Sequence, residues 1–148
     1  MNKYYYLFFV LALLACNKKN ESGENSSDSA TEISEVRKAV KPEAVSSYTE
    51  PVKDKDGLND WKFAVSLFET DQTFKYKIKV KYKELEAEDD LVIPNFGIEP
   101  KVEVQKGKEP LTCVIGFMDK ENVFKELKRV EIIGDELKIR QTKSYSMR

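Results

Sequence analysis

From Phe74 to Lys83 apolar and cationic side chains alternate without a break: Phe74, Tyr76, Ile78, Val80 and Tyr82, with Lys75, Lys77, Lys79, Lys81 and Lys83 between and after them. A segment with a period of two can bury one set and solvate the other only as a β-strand, because a helix would smear both around its circumference. The same period runs through Trp61–Glu69, where Trp61, Phe63, Val65 and Leu67 share a face. A tight turn at Thr70-Asp71-Gln72-Thr73 is expected to pair Leu67 with Tyr76, Val65 with Ile78, Phe63 with Val80 and Trp61 with Tyr82. A slip by one residue would turn the lysines inward, so the pattern specifies which face is buried.

Further strands are predicted at Asp90–Ile93, Lys101–Lys106, Leu111–Asp119, Val123–Ile133 and Leu137–Tyr145. Between them stand Pro94-Asn95-Phe96-Gly97, Lys106-Gly107-Lys108-Glu109-Pro110, Asp119-Lys120-Glu121-Asn122 and Gly134-Asp135-Glu136, which is ordinary turn chemistry. No helical period follows Gly57, which argues against alternating βα architecture. The expected fold is all-β: about seven short strands over residues 58–148, arranged as an immunoglobulin-like or transthyretin-like sandwich, with a small closed barrel as the alternative.

Before that domain the composition changes. Asn17 to Ser29 contains no apolar side chain at all, and burial there cannot offset the entropy of ordering. Residues 16–57 are therefore expected to be mostly tether, spanning roughly 35 Å as a coil and roughly 135 Å at full extension. Within it, residues 31–40 are predicted as a short helix, with Ile33, Val36 and Val40 on a narrow stripe, Ser29-Ala30-Thr31-Glu32 before it and Pro42 to stop it. Such a helix would be a docking element for a partner, or else a transient turn or a flap packed on the domain.

The first residues have a different character again. Lys3 gives a short positive start, and Leu7–Ala15 is an apolar run too short to span a bilayer permanently, which takes about 20 residues. It reads as an export signal over residues 1–15. The run ends Leu13-Leu14-Ala15-Cys16, which resembles the lipobox of bacterial lipoproteins. That resemblance implies cleavage before Cys16 and acylation of its thiol. Each buried methylene then adds about 0.8 kcal/mol, so several chains hold the protein at a membrane it does not span.

Composition narrows the chemistry. There is no histidine, which removes Ser-His and Cys-His nucleophile pairs and the imidazole ligands of common catalytic zinc sites. Lys and Arg number 25 against 26 Asp and Glu, and losing Lys3 with the signal leaves 24 against 26, no basis for nucleic-acid binding. With Cys16 acylated, Cys113 has no intramolecular partner and reads as a buried hydrophobe inside Leu111–Met118. Asp54-Lys55-Asp56-Gly57-Leu58-Asn59-Asp60 has the look of a calcium loop, but its glycine falls at the fourth position and no closing glutamate follows. Glu86-Ala87-Glu88-Asp89-Asp90 reads as a charged connector, without the unequal burial that separates a catalytic carboxylate pair. No catalytic residue, metal or cofactor is assigned, and an enzyme is not expected.

Two surface features remain as candidate binding residues. Lys75, Lys77, Lys79 and Lys81 form either a strip for an anionic ligand or the solvated face of a strand, where lysine discourages edge pairing. Phe96 and Ile98, in the stiff connector Pro94 to Pro100, either plug one end of the sandwich or form a partner-binding knob.

Signal, lipidated cysteine, polar tether and compact β domain together resemble the small outer-membrane lipoproteins of Bacteroidota. Asn17-Lys18-Lys19-Asn20-Glu21 lacks the lysine followed by an acidic pair that marks surface export in that group, which leans toward a periplasm-facing anchor. In size and plan the chain is similar to the lipoprotein subunit of their type VI secretion trans-envelope complex. The resemblance implies a cell-envelope location, a membrane partner through Cys16, and docking to other envelope proteins. The alternative is a binding module for a glycan, an anionic ligand or a metal ion.

Overall fold

The computed structural model describes residues 36–145; the signal, Cys16 and the first part of the expected helix lie outside them. Eight strands form: β1 (Ser46–Pro51), β2 (Lys62–Glu69), β3 (Lys75–Tyr82), β4 (Leu85–Val92), β5 (Lys101–Lys106), β6 (Thr112–Met118), β7 (Phe124–Ile133) and β8 (Glu136–Gln141). They make two antiparallel sheets in chain order, β1-β2-β3-β4 and β5-β6-β7-β8, stacked as a sandwich. The all-β sandwich expected from the spacing is therefore present, with eight strands in place of seven and each sheet a simple meander.

The core is the set of inward positions that the alternation marked. Phe63, Val65 and Leu67 of β2 and Tyr76, Ile78, Val80 and Tyr82 of β3 are buried against Val102, Cys113, Ile115, Phe117, Leu127 and Val130 of the second sheet. Each such side chain removed from water contributes about 1.5–3 kcal/mol.

The register between β2 and β3 differs from expectation by two residues: Leu67 pairs with Ile78, Val65 with Val80, Phe63 with Tyr82 and Glu69 with Tyr76. An even shift leaves every side chain on its face, so the hydrophobic pattern does not oppose it. The longer turn is held by its own polar groups. Thr70 Oγ1 donates to Lys75 O at 2.7 Å and accepts from Gln72 N at 3.2 Å, and Arg37 N donates to Asp71 O at 2.7 Å.

One strand and the first part of another lie where the sequence pointed to tether or connector. β1 falls inside residues 16–57, because its inward positions are Ser46, Tyr48 and Glu50, polar groups whose value depends on the other sheet. Ser46 Oγ accepts from Val104 N at 2.9 Å, and Glu50 accepts from Tyr48 Oη and from Leu111 N, each at 2.5 Å. β4 contains the whole acidic run, and its carboxylates are tolerable in a strand because β3 supplies lysines opposite. Residues 36–40 of the expected helix contain no helical turn; Val36 forms an isolated bridge with Gln72.

The sandwich has two distinct ends. At one lie the β2–β3 turn, the 94–100 connector between sheets, the β6–β7 turn and Tyr145; at the other lie the 52–61 loop and the β3–β4, β5–β6 and β7–β8 turns. Along one side β4 and β8 are the outermost strands of their sheets among the described residues. There Asp89 points inward, accepts from Lys128 Nζ of the other sheet at 2.5 Å and caps Asp90 N at 2.8 Å, which blunts the β4 edge against further strands.

Candidate functional site

The lysine row is not a free cationic strip. β3 is an interior strand, so its lysines do not guard an edge, and Lys77, Lys79 and Lys81 stand directly opposite Asp90, Glu88 and Glu86 of β4. Ion pairs follow that register: Lys77–Asp90 at 2.6 Å, Lys75–Asp90 at 2.8 Å, Lys81–Glu86 at 3.3 Å and Lys79–Glu88 at 3.4 Å. Hydrogen bonds from Lys75 and Lys77 hold the Asp90 carboxyl down to about 2, and the reciprocal bond raises Lys77. Opposite charges this close leave a ladder of dipoles rather than the field of a basic patch.

Phe96 and Ile98 take different roles. The Phe96 ring packs on Phe117 with centroids 5.1 Å apart, and Phe117 meets Tyr145 edge-on at 5.9 Å, so Phe96 plugs the end of the core. Asn95 Oδ1 accepts from Gly97 N at 2.8 Å and Gly97 adopts φ of +78°, a turn that swings the next side chain away. Ile98 is accordingly exposed.

The most elaborate polar site belongs to Arg37, a residue the sequence did not single out. Its side chain is only 6% exposed, and Nη1 lies 3.3 Å from a Glu69 carboxylate that is itself 7% exposed. Nε donates to Thr70 O at 3.2 Å, Nη2 donates to Thr73 O at 2.9 Å, and Nη1 also pairs with Glu99. The guanidinium carbon sits 5.2 Å from the centre of the Tyr76 ring, whose hydroxyl donates to Pro100 O at 3.2 Å. Burial raises the Tyr76 phenol against the pull of Arg37. Lys41 N completes the arrangement by donating to Glu69 Oε2 at 2.9 Å. One planar fork thus joins the segment before β1 to the β2–β3 turn and to the intersheet connector, using the geometry that distinguishes arginine from lysine.

Over this clasp lies an open groove lined by Val36, Lys38, Ala39, Lys41, Gly97 and Ile98 among others. At the far end of the sandwich Lys83 gathers the turns: its Nζ is 2.9 Å from Asp135 and lies over the rings of Trp61 and Tyr82 at 5.3 and 5.1 Å. Leu58, at 84% exposure, stands on one turn of that end, and exposed Leu85 and Ile133 flank two others.

The acidic loop at residues 54–60 is organised by its own backbone. Asp54 Oδ2 accepts from Asn59 N at 2.9 Å, Leu58 N at 3.1 Å and Asn59 Nδ2 at 3.1 Å, and Oδ1 accepts from Asp56 N at 3.3 Å, so the carboxylate is engaged in holding the loop. Among the described residues no cluster of three or more acidic or cysteine side chains is placed to hold a metal. Cys113 is fully buried, and burial, with a smaller contribution from Glu50, pushes its thiol up to about 12. No described helix is long and apolar enough to cross a membrane. Compared with known protein families, curated proteins and solved structures, the chain matches none.

Proposed function

We propose that this chain is a lipid-anchored envelope protein, held at a membrane through Cys16, whose β-sandwich docks to other envelope proteins. The observation that carries the reading is the opposition of the two ends. The segment leading from Cys16 is clasped to one end through Arg37, while Leu58, Leu85 and Ile133 are exposed on turns at the other. Aliphatic side chains held out on turns lose free energy in water and regain it when a partner covers them. The outward face of the first sheet, with its carboxylates and amines already paired, offers little to an anionic ligand.

A photocrosslinking residue at Leu58 in cells tests the proposal. A discrete adduct with one envelope protein, lost when Ile133→Glu is added and retained when Lys79→Glu is added, is the expected result. An adduct insensitive to Ile133→Glu, or none at this end of the sandwich, would remove the basis for docking there. Membrane fractionation of Cys16→Ala tests the anchor: the variant is expected in the soluble fraction after a high-salt wash.

A further inference from the structure

The clasped end carries a surface of its own. Val36, at 77% exposure, and exposed Val40 come from the segment before β1, and exposed Ile98 comes from the intersheet connector. Arg37 is what brings the two elements together, through Glu69 and Thr73 on one side and Glu99 on the other. Lys38 and Lys41 line the same groove, and among the described residues neither ammonium has an ion-pair partner, unlike Lys75, Lys77, Lys79 and Lys81. Aliphatic side chains interspersed with unpaired lysines are the chemistry of a surface that meets lipid headgroups, apolar tips reaching the acyl boundary and ammonium groups meeting phosphate.

Where the chain enters favours a bilayer over another occupant. About twenty peptide units separate Cys16 from Val36, so the first described residue lies within roughly 70 Å of the acylated cysteine, whatever path the chain takes. That residue belongs to the exposed cluster itself. The chain from the anchor therefore enters the sandwich at this end, and not at the one bearing Leu58. Linkage makes a weak second contact effectively intramolecular, so a small patch suffices.

We propose that the end of the sandwich bearing Val36, Val40 and Ile98 beside Lys38 and Lys41 rests on the headgroups of the bilayer that holds the anchor. The inference depends on lipidation of Cys16. It gives the sandwich a fixed polarity, clasped end on lipid and Lys83 end facing away.

The test uses the acylated full-length protein in vesicles of phosphatidylethanolamine and phosphatidylglycerol with brominated acyl chains. In a Trp61→Phe background, single tryptophans are introduced as Ile98→Trp, Val40→Trp or Leu58→Trp. Quenching at Ile98→Trp and Val40→Trp is expected to exceed that at Leu58→Trp at least twofold, and Lys38→Glu with Lys41→Glu should reduce the difference. Two clasped-end positions guard against one variant that disturbs the fold. Vesicle-bound protein with equal quenching at all three positions overturns the inference and leaves the anchor standing. Protein that fails to float with the vesicles overturns both. A crosslinker at Ile98 that captures a protein in cells, with no lipid adduct, would assign this end to a protein partner and also overturn it.

Discussion

Arg37→Ala removes the side chain that ties residues 36–41 to the β2–β3 turn and to the intersheet connector. Breaking a buried ion pair by deleting one partner costs about 3–5 kcal/mol when the other charge stays buried. Here the buried partner is Glu69, covered on one side by the segment that Arg37 itself holds. Once that segment lifts, Glu69 regains water, so the penalty is capped by the free energy that kept residues 36–41 in place. The guanidinium donates to two main-chain carbonyls, at 3.2 and 2.9 Å. Bonds from a charged donor contribute about 1.5–3 kcal/mol each, and ordering each backbone residue costs about 1–2 kcal/mol. The predicted consequence is local opening, with a global stability loss of about 1–3 kcal/mol. Limited trypsin digestion should cut Arg37→Ala rapidly after Lys38, and hydrogen exchange at the amides of residue 37 and Lys41 should lose protection while β2 and β3 keep theirs. Unchanged cleavage and exchange would refute the clasp; a collapse of core protection would show that Arg37 supports the whole fold.

Three further predictions probe the sandwich. A side chain at Gly116, where the β6–β7 register shifts, would collide with the Lys125 carbonyl, so Gly116→Ala should lower the urea midpoint by an amount equivalent to about 1–3 kcal/mol or more at unchanged m-value. In the ladder, Lys79→Glu or Glu88→Lys alone should cost about 0.2–1 kcal/mol and the double swap should recover most of it, as a double-mutant cycle at low salt would report. Stability should fall at both extremes of pH. Asp90, held near 2, contributes stability that is present above about pH 4 and lost as pH falls through its folded value. Cys113 and Tyr48, both raised to about 12, chiefly by burial, act oppositely: their contribution is intact below the unfolded values and is lost as pH rises toward 12. Cys113→Val should flatten the alkaline limb between about pH 9 and 11 in denaturation curves.

What was legible beforehand tracks the physics of each signal. The buried face of β2 and of β3 follows from period-two alternation, because exposing the apolar set costs several kcal/mol whatever the partner strand is. The two-residue register error in the same hairpin arises because an even slip changes no face. Phe96 and Ile98 stand together in the sequence as the apolar residues of a stiff connector, yet their division into plug and exposed tip depends on Gly97 and Asn95 and on Phe117, a residue of the other sheet.

By itself, the amino-acid order determined the β class, the buried face of the central strands and the expectation of a lipid-anchored cysteine, since each rests on local patterning. Tertiary structure alone decided that β1 is a strand, that β4 begins at Leu85 rather than at Asp90, and that Arg37 is a clasp. Their inward or paired polar groups, Ser46, Glu50, Asp90 and the guanidinium, are costly until a partner from distant sequence arrives to accept or donate. A lone sequence window shows the cost of such groups but not the partner that offsets it.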